Sequence, residues 1–260
     1  MSEIHASAVI EDGAVIGTGC RIGAFSYVGP NVVLGDGVVL RPHAMVTGRT
    51  EIGADSTVFS FAVVGEIPQD LKFGGEDTQL VIGKRARIRE HVTVNTGTEG
   101  GGGITRIGDD VLLMAGCHVA HDAQLGDRVI IVNNSAVAGH CIIEDDVIVG
   151  GLCGIHQFVR IGRGAIIGAL SMVTKDVIPY GLVQAPRGEL DGLNLVGLKR
   201  RGADRTEIAA LRAALEQLRS GEGTFMERAA RLKDDADAQK VQEIVTFILG
   251  DTDRSFLTPR

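Results

Sequence analysis

Aliphatic residues recur at every sixth position of this chain. Ile4, Ile10, Ile16, Ile22, Val28, Leu34, Leu40, Val46, Ile52, Val58 and Val64 open the series, and Ile82, Ile88 and Val94 resume it after a break. From Ile107 it runs without error through Leu113, Val119, Leu125, Ile131, Val137, Ile143, Val149, Ile155, Ile161, Ile167 and Val173. A period of six fits neither the 3.6-residue turn of a helix nor the simple alternation of a hairpin protein. A short strand plus a sharp turn does use about six residues, and three such units close a triangular coil of about eighteen. Coils stacked at the strand spacing of about 4.8 Å would point each aliphatic side chain inward. The residue after it is often glycine, which lets the chain turn the corner. The period therefore predicts a parallel β-helix prism. Composition agrees: with 36 glycines, 4% aromatic residues and no tryptophan, small aliphatics must fill the interior.

Two interruptions preserve the phase. "EIPQDLKFGGEDTQLV" at 66–81 leaves 18 residues between Val64 and Ile82, an excursion of about twelve, and "TGTEGGGG" occupies 96–103. Both read as external loops, and insertions in a solenoid often build its binding face. The repeat ends near "VTKDVIPYG", where Pro179 lacks a ladder donor. Helical signals follow: Asp204 and Glu207 form a capping-box pattern before Ile208, Leu211, Leu215 and Leu218, and Thr224 with Glu227 repeats it. Val241, Ile244, Val245 and Ile248 mark a last amphipathic segment. The expected organisation is a β-helix over residues 1–185 and a small α-helical domain over 186–260 that covers the open sheet edge.

A net charge of -7 argues against nucleic acid or an anionic membrane as partner. Cys20, Cys117, Cys141 and Cys153 show no C-x-x-C spacing, and no basic-then-apolar signal segment opens the chain. No apolar run approaches the roughly 18 to 20 residues of a membrane span. A cytoplasmic protein with reduced thiols is expected.

Counting in steps of eighteen stacks Val119, Val137 and Ile155. Their neighbours then form a stripe: His118 and His121, Gly139 and His140, His156 and Gln157. The first excursion brings Gln69, Asp70 and Lys72 toward the same edge. Ordinary surface histidines are one reading of such a stripe. Zinc is another, as in the γ-class carbonic anhydrases, but the chain lacks the close H-x4-H pair that such sites resemble. Acyl transfer to a sugar hydroxyl is the third and the strongest. It needs a base titrating near neutrality, which imidazole supplies, and a fixed donor for the thioester oxygen, which a glycine N–H can approach. His121 and Gly139 could supply the two halves.

The hexads, followed by "GEIPQDLKF", "RIREHVTVNTGT", "HVAHD", "NNSAVAGH", "GGLCGIHQF" and "NLVGLKRRG", resemble the acyl-ACP:UDP-N-acetylglucosamine O-acyltransferases, which start lipid A synthesis. The resemblance covers nearly the whole chain. It implies a homotrimer of left-handed parallel β-helices with active sites between subunits, no metal and no cofactor. Its substrates would be UDP-N-acetylglucosamine and an acyl carrier protein bearing a 3-hydroxyacyl chain. It further implies His121 as general base, Asp122 as its partner and Gly139 as oxyanion donor. Consecutive strand residues face opposite sides, so Asp122 can serve only if the chain turns there. Gln69, Asp70, Lys72, His118, His140, His156 and Gln157 would position substrate, Ala169 would bound the acyl groove, and Asn194, Arg200 and Arg201 would meet phosphates or the acidic carrier. After Gln184 the sequence "APRGEL" departs from the family's histidine, so Arg187 is the residue available there. The same base would also serve a 3-amino acceptor.

Overall fold

The computed structural model describes residues 1–186, 188–235, 238–252 and 254–259. Arg187 therefore lies outside the described residues. Among the described residues the chain winds into three sheets of eleven, nine and eight strands, here called the first, second and third faces of a prism. This is the parallel β-helix prism expected from the hexads, with the left hand that the resemblance implies. Most strands are two residues long, one pointing out and one in, and successive coils pair in parallel eighteen residues apart, as in Val119 on Val137 and Val137 on Ile155. From Ile22 to Val173 every inward hexad residue is buried, whereas Ile4 in the first coil is 50% exposed because nothing lies beneath it.

Corners hold the coils in register. Most use a left-handed residue, commonly not glycine: Asp122 has φ 59°, His140 60° and Phe158 65°. At the corner between the third and first faces, glycine is required for close approach, since a Cβ on Gly108 would lie 2.6 Å from the carbonyl carbon of Gly126. In successive coils here an aspartate supplies its carboxylate to the coil before it. Lys84 N–H donates to Asp109 at 2.7 Å, Asp109 N–H to Asp127 at 2.8 Å, and Asp127 N–H to Asp145 at 3.0 Å.

The first excursion leaves from strand Val63–Glu66 and returns through Gln79–Ile82, which pairs along four residues with both Arg49–Ile52 and Ile104–Ile107. The loop itself is thus 67–78, shorter at both ends than the expected 66–81, because extended chain continues the ladder into it. The second excursion contains a 3-10 turn, Glu99–Gly101.

Beyond Val173 the ladder continues past the expected stop. Val177 bridges to Ile161 and Val183 pairs with Ile167, both sixteen residues on instead of eighteen. A strict hexad would have turned Pro179 inward; a slip of two puts Val177 there. Strand Glu189–Leu193 then adds antiparallel to Gly181–Gln184 as the last strand of the first face. The open edge, expected beneath helices, is closed by extended chain: this hairpin on the first face, Gly188 N–H to Met172 O on the second, and an Asp176–Phe256 bridge on the third.

Four helices follow among the described residues: α1 (Leu195–Arg200), α2 (Arg205–Arg219), α3 (Phe225–Asp235) and α4 (Gln239–Leu249). The Asp204–Glu207 capping box closes in both directions, and the Thr224–Glu227 pair repeats it. Helix α4 buries Val241, Ile244, Val245 and Ile248, as its spacing required.

Ile131 is fully buried in mid-ladder. Ile131→Ala should cost about 2 to 4 kcal/mol of unfolding free energy in urea titration; a loss below about 1 kcal/mol would mean that the inward column is not the core of the fold.

Candidate active site

The corner between the second and third faces carries the histidines. Val119 points inward, and the chain turns over residues 120–123 with Asp122 in the left-handed region. That turn puts two consecutive side chains together: His121 Nδ1 lies 2.8 Å from Asp122 Oδ2. Asp122 is 3% exposed, and its carboxylate also accepts the Thr98 N–H at 2.8 Å and the Thr98 hydroxyl at 2.6 Å. Its own N–H donates to Thr105 Oγ1 at 2.7 Å. A carboxylate accepts, so His121 Nδ1 carries the ring proton and Nε2 keeps a lone pair.

One coil on, Gly139 lies against the His121 ring. A Cβ there would fall 2.5 Å from Cε1 and 2.7 Å from Nε2, so only glycine leaves the imidazole its place. The Gly139 N–H has no acceptor among the described residues. His140 meets His121 edge-on at 4.9 Å between centroids and stacks flat on Phe158 at 4.4 Å. Burial pushes the His140 pKa down, with the Asp122 and Asp70 carboxylates pulling the other way. His118 bonds Thr93 Oγ1 through Nδ1 at 2.8 Å, and burial lowers its pKa as well.

Both excursions land on this corner. Asp70, Lys72, Phe73 and Glu76 from the first, and Thr98 and Glu99 from the second, enclose with His140 and Phe158 a cleft of about 320 Å³. Lys72 N–H donates to Asp70 Oδ1 at 3.0 Å and tightens that loop. Gln69 is exposed and does not line the cleft. His156 and Gln157 occupy the corner one coil beyond Gly139, both exposed.

Four expected residues stand elsewhere in the chain. Ala169 is exposed on the corner between the first and second faces. Asn194 is 4% exposed: its Oδ1 caps α1 by accepting the Gly197 N–H at 2.9 Å, and its Nδ2 donates to Gly164 O at 2.9 Å. Arg201 also reaches Gly164 O, at 3.3 Å, and Arg200 is exposed beside it, at the third–first corner. Within one chain none of the four meets the histidines.

Thr98, Thr105 and Phe158 were missed. Phe158 follows His140 by eighteen residues, a signal already in the repeat. Thr98 had only its place before a glycine run, which does not say where the loop returns.

Donor atoms of His121, Asp122 and His140 lie within 4.8 Å of one another, close enough to suggest a metal. The His121–Asp122 separation of 2.8 Å decides otherwise. Donors around tetrahedral zinc stand about 3.4 Å apart at ligand distances near 2.1 Å. With Thr98 already on both carboxylate oxygens, the cluster is a hydrogen-bonded dyad.

Residues 13–48, 104–139 and 140–175 match the bacterial transferase hexapeptide family, and 176–257 match the family described as UDP N-acetylglucosamine O-acyltransferase, domain 2. A Paracoccus denitrificans protein named acyl-(acyl-carrier-protein)–UDP-N-acetylglucosamine O-acyltransferase is 68% identical over 202 residues, 78% of this chain and 77% of that one. A Rhizobium etli protein of the same name is 50% identical across 99% of this chain and 95% of its own. A crystal structure of a UDP-N-acetylglucosamine acyltransferase superposes with a TM-score of 0.96 at 39% identity, covering 99% of each chain. The Campylobacter jejuni enzyme gives 0.93 at 42% identity, covering 99% of this chain and 100% of its own. The chain belongs to the acyl-(acyl-carrier-protein)–UDP-N-acetylglucosamine O-acyltransferase family.

Proposed function

We propose that this protein transfers an (R)-3-hydroxyacyl group from acyl carrier protein to the glucosamine 3-hydroxyl of UDP-N-acetylglucosamine, the first step of lipid A biosynthesis, with His121 as general base. The observation that carries the chemistry is the Thr98–Asp122–His121 relay, which leaves Nε2 as the free lone pair. Nε2 removes the hydroxyl proton as the sugar oxygen attacks the thioester carbonyl. The Gly139 N–H meets the oxygen that becomes negative. On collapse the carbon–sulfur bond breaks, and the thiolate takes the proton back from the imidazolium. Asp70, Lys72, His118, His140, His156 and Gln157 position the substrates around this pair, with Gln69 at the loop's outer edge.

Family relatives support the hydroxyl acceptor by name; a 3-amino sugar would use the same base, and assaying both nucleotides distinguishes them. The reading places the protein in the cytoplasm. Its four cysteines are free and buried, and among the described residues no helix is long and apolar enough to cross a membrane.

A homotrimer belongs to the same reading. Leu112, Ile130, Ile148, Ile166 and Leu182 stack outward on the first face, an aliphatic column on a surface that a lone prism would leave wet. Ala169, Arg200 and Arg201 stand on corners away from their own histidines, so a neighbouring copy is the one that could bring them to a site. The basic run Lys199–Arg201 suits a diphosphate or an acidic carrier.

Above His118 the second face is smooth. Ala136 and Gly154 are its next outward residues, and then Met172 folds back with Sδ and Cε each 3.1 Å from where a Gly154 Cβ would lie. Met172, with Ala169 on the corner leading into it, would bound an acyl chain laid along this trough.

His121→Ala should lower kcat by about 10² to 10⁴ with the melting temperature unchanged; near-normal turnover removes His121 from the base's role. Thr98→Val should cost less, since Asp122 remains. In light scattering, Ile148→Glu should reduce the assembly mass toward that of one chain, and an unchanged mass would place the interface elsewhere. Competition between acyl carriers should show Met172→Gly shifted to longer chains by roughly three to four methylenes, one coil spacing of about 4.8 Å. An unaltered length preference would show that the chain lies on another face.

A further inference from the structure

The last segment of the chain crosses back over the end coils and reaches the histidine corner. Asp176, 0% exposed, anchors it. Its Oδ1 accepts the Arg160 N–H at 2.9 Å, and its Oδ2 accepts Arg160 Nε at 2.7 Å and the Thr252 hydroxyl at 2.9 Å. Asp176 N–H donates to Ser255 O at 3.0 Å, and Leu257 N–H to Asp176 O at 2.8 Å. So held, Arg254 donates through Nη1 to Thr174 O at 2.9 Å and sets Nη2 3.0 Å from His156 Nδ1. Thr252, Arg254 and Ser255 form one wall of a cleft of about 590 Å³ whose other wall includes His140 and Phe158. The face of Phe158 thus looks onto this cleft while His140, stacked on it, touches the proposed base.

A guanidinium has donors only. An Nδ1–H on His156 would set two donors against each other, so Nδ1 accepts and the ring proton sits on Nε2. His156 Nδ1 also lies 3.1 Å from Gln157 O, a contact that would need the other tautomer. A charge-assisted bond from a guanidinium held by a second anchor outweighs a neutral one to the adjacent residue.

We propose that Arg254 is a positioning residue for the transfer reaction: the C-terminal segment carries it to the site, where it fixes His156 with Nε2–H presented to the acceptor substrate as a donor. This rests on the acyltransferase reading for its substrate but not for its geometry. A donor at that point suits a sugar or diphosphate oxygen of the nucleotide and has no role toward an alkyl chain, so the effect falls on acceptor binding.

The test uses the full-length protein with Arg254→Ala and Arg254→Lys, after wild-type turnover with UDP-N-acetylglucosamine and 3-hydroxyacyl carrier protein has been measured. Arg254→Ala should raise KM for the nucleotide about fivefold, the worth of roughly one hydrogen bond, with kcat within about twofold. KM for the acyl carrier and the melting temperature should not move. Long-range proton–nitrogen NMR of histidine-labelled, substrate-free protein should show His156 Nδ1 unprotonated in the wild type and a tautomer mixture in Arg254→Ala. Arg254→Lys, which keeps one charged donor, should restore both readouts in part. An unchanged tautomer in Arg254→Ala, or a KM rise matched by a fall in melting temperature, overturns the proposal. Absence of wild-type turnover would instead count against the acyltransferase reading, while the NMR result would still decide the geometry.

Discussion

One inward aliphatic per six residues obliges every coil to lie squarely on the last, and everything else in the molecule follows from that stacking. Because Val119, Val137 and Ile155 coincide, the residues around them coincide too, and a corner becomes a column whose chemistry is chosen one coil at a time. The same left-handed position is filled by Asp122, His140 and Phe158 on the second–third corner. On the first–second corner it is filled by Phe25, His43, Phe61 and His91, whose rings stack 5.1 to 5.3 Å apart. On the third–first corner it holds Arg85, Asp110, Arg128 and Asp146 in alternating charge. The core is indifferent to these choices. A left-handed non-glycine residue costs about 1 to 2 kcal/mol, and a backbone pinned above and below by ladder bonds can hold it.

That indifference explains which parts could be read in advance. The hexads specified the prism because a single inward slip would bury a polar residue. The eighteen-residue count specified the histidine column for the same reason. The His121–Asp122 contact was legible only conditionally, since the two are adjacent in sequence and would diverge on a straight strand. The corner brings them together at 2.8 Å.

What escaped the sequence lies where the period says nothing. Thr98 reaches Asp122 from a loop whose exit from the ladder is visible but whose path is not. The change of step at Val177 was hidden because Pro179 looked like a terminator; the chain accommodates it by shifting two residues and keeping an aliphatic inside. Asn194 belonged to a recognised motif, and its type suited phosphate contact as well as an N-cap. Only the fold shows that its amide bonds Gly197 and Gly164. Arg254 is 98 residues from His156, beyond any local pattern.

The stacked corner also accounts for how His121 can be held with so little apparatus. His121 is fixed from three directions by groups that cannot yield independently: Asp122 beside it, itself tied to Thr98 and Thr105, Gly139 above it, and His140 against its edge. Asp122 shares the coil of His121, Gly139 and His140 are consecutive on the next, Thr98 comes from an excursion, and the coils are tied to their neighbours by parallel ladder bonds. Displacing the imidazole therefore means parting coils, not rotating a side chain. A cluster of this kind needs no closing lid to become ordered, because its geometry is set when the core forms. What remains adjustable is the rim, the two excursions and the C-terminal segment, which can vary without disturbing His121.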